Sequence, residues 1–123
     1  MSTEPVLIAG TWRDSEKTGF FQSSNPATGK HLPAHYPISS WTDCEAALIS
    51  AQAAFEEMSV MPGDKIAVFL EAYAAKIEAR AEEPVTMAHL ETALPKSPRL
   101  ADAELPRTTG QLRQAAAAAR SGV

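Results

Sequence analysis

Cysteine is almost missing from this chain. Cys44 is the only one in 123 residues, so no intrachain disulfide can form and a secreted disulfide scaffold is excluded. Clustered basic residues are missing too: lysines and arginines stand singly, and the closest grouping is Lys96 with Arg99. With a formal net charge of -4, the chain lacks the electropositive surface that nucleic-acid binding requires. No apolar run reaches the length of a membrane span. The start, Met1-Ser-Thr-Glu-Pro5, is polar and acidic and has neither the basic nor the apolar stretch of a secretion signal. The six glycines spell neither G-x-G-x-x-G nor G-x-x-x-x-G-K-[ST], so there is no phosphate-cradling loop. These absences lead to the expectation of a cytoplasmic chain with no nucleic-acid partner and no membrane partner.

What is present is ordinary globular composition, 45% hydrophobic and 21% charged, enough for one domain with a moderate core. The first 39 residues read as short strands and turns. Val6, Leu7 and Ile8 form a β-prone run, Ala9-Gly10 suits a turn, and Thr11-Trp12 can return. A second extended piece begins at Phe20. Asn25-Pro-Ala-Thr-Gly29 has strong turn chemistry, because Pro26 fixes φ and Gly29 accepts a positive one. Residues 30–38 should then run back antiparallel, with Pro33 and Pro37 marking an edge.

Helical spacing takes over from Ser40, a good N-cap with Asp43 three residues on. Cys44, Ala47, Leu48, Ala51, Phe55 and Met58 recur on one face and predict a buried stripe. Met61-Pro62-Gly63 breaks the pattern. Ile66, Phe69, Leu70, Tyr73, Ala74 and Ile77 then predict the apolar face of a second helix. A third helix should carry Pro84 in its first turn and end near Thr92. A fourth is expected over 99–120, closing in the alanine run 115–119. The chain alone reads as α+β: hairpins over 1–39, then three to four amphipathic helices over 40–123.

None of the chemistry-bearing residues forms a site. Cys44 falls in the first helix's apolar stripe and reads as a small buried residue, not a nucleophile. His31, His35 and His89 lack the flanking ligands of a metal site. Glu56-Glu57 and Glu82-Glu83 read as solvated helix ends and not as an acid/base pair. Catalytic, cofactor-binding and metal residues are all expected to be none.

Six segments, in order, resemble the NAD(P)-dependent aldehyde dehydrogenase family. Leu7-Ile-Ala-Gly-Thr-Trp12 resembles its opening hairpin, and Asn25-Pro-Ala-Thr-Gly29 its N-P-x-T-G turn. Residues 40–55 resemble its first helix. Lys65-Ile-Ala-Val-Phe-Leu70 resembles the R-A-x-x-L helix, with lysine in place of arginine, and Glu91-Thr-Ala-Leu-Pro95 resembles E-T-G-L-P. Glu104 with Arg107-Thr-Thr-Gly-Gln-Leu-Arg113 is most similar to the branch acting on α-ketoglutaric semialdehyde (2,5-dioxovalerate).

The resemblance implies an α/β parent with a Rossmann-type cofactor domain, of which 1–123 would be the N-terminal part. The catalytic and oligomerisation domains would be absent. It implies a parent that is a homo-oligomer and oxidises an aldehyde with NAD or NADP. Its cysteine nucleophile, oxyanion asparagine and general-base glutamate have no counterpart here, and Cys44 is not at the nucleophile's position. The chain alone is expected to hold no cofactor, to be inactive, and to self-associate through exposed apolar faces. In some members a cation is held near the two turn motifs, which would involve Ser24 and Glu91. Two protein ligands make no site for a hard cation that wants about six oxygens.

Three departures from the family fit a truncated or decaying product. Ala93 replaces the helix-ending glycine, at a cost of about 1–2 kcal/mol if the left-handed conformation persists. Pro106 falls inside the expected fourth helix, where it would cost ~3 kcal/mol or more. Alanines fill the end, where larger apolar residues are usual. The competing reading is a stand-alone helical interaction module without catalytic activity.

Overall fold

A computed structural model describes residues 2–122. Strands come first and helices follow, the α+β order expected. Three antiparallel pairs are formed by six strands: β1 (Val6–Ile8), β2 (Thr11–Arg13), β3 (Lys17–Phe21), β4 (Ser24–Asn25), β5 (Lys30–His31) and β6 (Tyr36–Ser39). β1 pairs with β2 in the register Val6↔Arg13 to Ile8↔Thr11. The two residues between them, Ala9 and Gly10, both have positive φ (52° and 77°), as a two-residue hairpin turn demands. β4 pairs with β5 across the Asn25-to-Gly29 turn, where Gly29 takes φ 69° and donates its N–H to the Asn25 carbonyl at 2.8 Å. β3 pairs with β6, from Lys17↔Ser39 to Phe21↔Tyr36. The single return strand expected over 30–38 is therefore two. Residues 32–35 leave the ladder, where Pro33 has no N–H to give it.

The helices are α1 (Trp41–Met58), α2 (Gly63–Ala79), α3 (Glu82–Thr92) and α4 (Leu105–Ser121). Strand residues end at Ser39 and α1 begins at Trp41. The compact units nevertheless divide elsewhere: α1 belongs with the strands in a first unit (2–25 and 29–60), and α2 to α4 make the second (26–28 and 61–122).

Within the first unit, α1 does not bury the face expected. Cys44 is exposed, and so are Leu48 and Phe55 at 60% and 64%. The packed face lies one residue back, on Asp43, Ala46 and Ser50. A rotation of one residue, about 100°, separates the two faces. Asp43 decides between them, because its carboxylate has donors to meet among the strands.

In the second unit, the buried residues of α2 are Ala67 and Ala74, both fully inaccessible, whereas Phe69 and Tyr73 are 57% and 51% exposed. Both aromatics were expected on the buried face and lie beside it. The facing residues of α4 are also small: Thr109 and Ala116 are buried and Ala119 half-buried. Small side chains at spacings of seven and three let two helix backbones approach closely, and dispersion between them substitutes for bulky core residues. The approach is tightest at Gly63, where an added Cβ would lie 2.0 Å from the Ala119 carbonyl oxygen. The alanine run therefore forms one wall of a helix pair.

The long fourth helix expected over 99–120 is interrupted. Residues Lys96–Glu104 form a wide π-helical segment, entered through Ser97 in extended conformation (φ -123°, ψ 138°). The Leu100 N–H reaches the Pro95 carbonyl at 3.3 Å, and the Leu105 N–H goes to Leu100, each five residues back. Pro106 then sits in the first turn of α4, where its missing N–H costs little. The penalty expected for a proline in a helix interior does not apply. Ala93, by contrast, does end α3 in the left-handed conformation, with φ 60° and ψ 9°.

Candidate functional site

The residues singled out by chemistry are scattered. Ser24 Oγ lies 3.1 Å from His31 Nδ1. His35 packs edge-on against Phe20, with ring centroids 5.0 Å apart. The Nδ1 of His89 lies 2.7 Å from the Leu94 carbonyl oxygen, just past the end of α3. Glu56 accepts from Gln52 one turn earlier. Glu82 accepts from Thr86 and Lys96, and Glu83 receives both forks of Arg80. Ser24 and Glu91 belong to different units. No group of three His, Cys, Asp or Glu that could hold a metal occurs among the described residues.

Two polar clusters are well built, and the sequence reading missed both. The first centres on Asp43, which is 3% exposed. Its Oδ2 accepts from the Ser15 hydroxyl at 2.8 Å and the Glu16 N–H at 2.7 Å, and its Oδ1 from Arg13 Nη2 at 2.8 Å. The Ser15 hydroxyl also lies 2.9 Å from that of Ser39. The Ser15 bond, with the Glu16 amide and Arg13, holds the Asp43 carboxyl below its ordinary range, although burial pushes the other way. The cluster ties β2, β6 and the segment leading into β3 to the first turn of α1. Its only signal in the sequence was Ser40 with Asp43 three residues on. The cap does form, since the Asp43 N–H donates to Ser40 Oγ at 3.3 Å, but the Asp43 side chain turns to the strands and does not close a reciprocal box.

The second cluster joins α2 to α4. Arg113 grips Glu78 with two bonds of 2.5 and 2.9 Å, and Arg120 grips Glu71 in the same forked manner. Arg113, helped by the Thr109 hydroxyl, pulls the Glu78 carboxyl down to about 2. These pairs span 35 and 49 residues of sequence, so no local pattern could reveal them.

The second unit also carries an open cavity of about 530 Å³ between α2, α3, the π-helical segment and the start of α4. Ile77, Val85, Ala88, Leu100 and Leu105 form its apolar lining, and Tyr73 and Lys76 also line it. Nothing in it resembles a nucleophile paired with a base.

The first turns of α1, α2 and α3 carry Asp43, Asp64 and the pair Glu82–Glu83, whereas that of α4 carries no acidic residue.

The model of the aldehyde dehydrogenase family matches residues 12–122. The chain is similar in structure to an NAD-dependent benzaldehyde dehydrogenase from Corynebacterium glutamicum, with TM-score 0.83 and 21% identity over 97% of this chain and 25% of that one. It is similar to PnpE in complex with nicotinamide adenine dinucleotide, with TM-score 0.84 and 22% identity over 98% of this chain and 24% of that one. It also resembles the NADP-dependent glyceraldehyde-3-phosphate dehydrogenase from Bacillus halodurans C-125 complexed with NADP, with TM-score 0.82 and 26% identity over 95% and 24%. At these identities the first two comparisons speak to the fold alone. The chain spans about a quarter of the length of the solved structures it matches. On the match over residues 12–122, this chain belongs to the aldehyde dehydrogenase family.

Proposed function

We propose that this chain is the N-terminal part of the cofactor-binding domain of an enzyme that oxidises a semialdehyde, such as 2,5-dioxovalerate, to the acid. Family membership over residues 12–122 carries the reading. The run from Glu104 to Arg113 supports the semialdehyde branch. NAD+ or NADP+ would take the hydride when bound, and the residues that hold it would come from other sequence, because these six glycines spell no phosphate-cradling loop. This chain's own contribution is architectural. Asp43 fixes the strands to α1, and the Glu78–Arg113 and Glu71–Arg120 pairs fix α2 to α4. The enzyme is proposed to work in the cytoplasm as a homo-oligomer. No described helix is long and apolar enough to cross a membrane.

The test is to translate the DNA that follows the Val123 codon in all frames, and to assay the full product. Expected are a strand leading into an oligomerisation domain, an oxyanion asparagine, a Gly-rich turn, a general-base glutamate and a nucleophilic cysteine, in that order. NAD(P)H should form with 2,5-dioxovalerate faster than with benzaldehyde. The isolated chain should form none. Benzaldehyde as the better substrate would remove the semialdehyde assignment. A different gene starting directly after Val123 would remove the parent enzyme and favour an interaction module.

A further inference from the structure

The cavity of the second unit has a mostly apolar lining, to which four charged residues, Thr108 and Tyr73 are added, and one of the charges has no ion-pair partner among the described residues. Ile77, Val85, Ala88, Leu100 and Leu105 supply aliphatic surface from four successive elements, and Tyr73 closes one side, its ring stacked on Phe69 at 6.3 Å. Four charged residues reach the cavity: Lys76, Arg80, Glu83 and Glu104. Glu83 is neutralised by Arg80 through bonds of 2.8 and 2.6 Å, and Glu104 by Arg99 at 2.9 Å. Lys76 forms no ion pair with any described residue. Lys76 lines the cavity one turn on from Tyr73, together with the aliphatic residues.

From this pairing we infer that the cavity is a binding site for a small amphipathic monocarboxylate, with an alkyl body of about eight to twelve carbons on the aliphatic floor and its carboxylate beside Lys76. The volume, about 530 Å³, lies within the ordinary range of small-molecule sites. A neutral alkyl ligand would leave Lys76 unused, and a cationic one would be repelled by it. A dianion would have to compete for Arg80, which Glu83 already holds. One negative charge on an apolar body is the complement that remains.

The probes are octanoate, decanoate and 1-octanol, titrated into the 123-residue chain at low salt. Amide NMR shifts locate the binding and calorimetry measures it. Octanoate should bind saturably, one per chain, with shift changes at Ile77, Val85, Ala88, Leu100 and Leu105. Decanoate should bind tighter by roughly fourfold for each added methylene that is buried. The Lys76→Glu change, on an exposed residue that should not disturb folding, should weaken octanoate by about fivefold and leave 1-octanol unchanged. Equal effects on acid and alcohol would overturn the role of Lys76. Shift changes along the exposed α1 residues Leu48 and Phe55, or uptake that never saturates, would overturn the site itself. Self-association that protects the cavity amides without any ligand would assign the surface to a second copy of the chain.

Discussion

Two glycines on facing helices should respond to the same substitution with opposite signs. At Gly63 an added Cβ would stand 2.0 Å from the Ala119 oxygen and 3.0 Å from its carbonyl carbon. Carbon and oxygen do not approach below about 3 Å, so α4 must retreat by roughly 1 Å, and both nearest atoms are backbone and cannot rotate aside. A gap of that size forfeits about a quarter to a half of each dispersion contact it opens. The contacts at risk are those of Ala67, Ala74, Thr109 and Ala116, the buried residues of this helix pair. Overpacking of this kind costs about 1–3 kcal/mol, against which the better helix propensity of alanine returns at most ~1 kcal/mol. Gly63→Ala should therefore lose about 1–2 kcal/mol. Gly110 lies inside α4 with nothing within 4 Å of its added Cβ. Gly110→Ala should gain roughly 0.5–1 kcal/mol from backbone entropy alone. Urea melts followed by circular dichroism measure both. If Gly63→Ala is as stable as Gly110→Ala, the close approach of α2 to α4 is wrong.

Ala93→Gly should stabilise the chain by about 1 kcal/mol, because the φ of 60° that ends α3 strains any residue with a Cβ; a loss in the same melts would count against that cap. Asp43→Asn should destabilise the strand unit almost as much as Asp43→Ala, because Ser15, the Glu16 amide and Arg13 all donate and an amide group would turn N–H toward donors; amide exchange in β2 and β6 would report it, and an undisturbed Asn variant would contradict the three-donor arrangement. Glu78 has a folded pKa of about 2, below its ordinary 4.5, so its contribution is complete above pH ~4.5 and is lost as pH falls toward 2; acid melts of Glu78→Gln should lack that loss, and the difference should shrink in high salt because the pair is exposed. Pro106→Ala should change stability by less than about 1 kcal/mol, because the proline occupies a first turn; a gain near 3 kcal/mol would restore the unbroken fourth helix.

The sequence by itself determined the local elements. The Ala9-Gly10 and Asn25-to-Gly29 turns, the Ser40 cap, the break at Pro62 and the end of α3 at Thr92 each rest on backbone preferences of one to five residues, and each stands where those preferences put it. The six family segments were legible for the same reason: they are short, local and in order. Tertiary structure decided which faces are buried. Periodicity marks an apolar stripe but not the surface it meets, so the stripe holding Cys44 and Phe55 lies exposed, while one buried carboxylate turns α1 by a residue. In α2 the aromatics gave way to Ala67, beside the expected Ala74, because backbone proximity to α4 rewards small residues that hydrophobicity alone ranks low. The pairs Arg113–Glu78 and Arg120–Glu71, and the cavity walled by four elements, join residues that only the folded chain brings together. Proline at 106 makes the same point: its cost depends on the hydrogen-bond register around it, and the π-helical segment before it set that register.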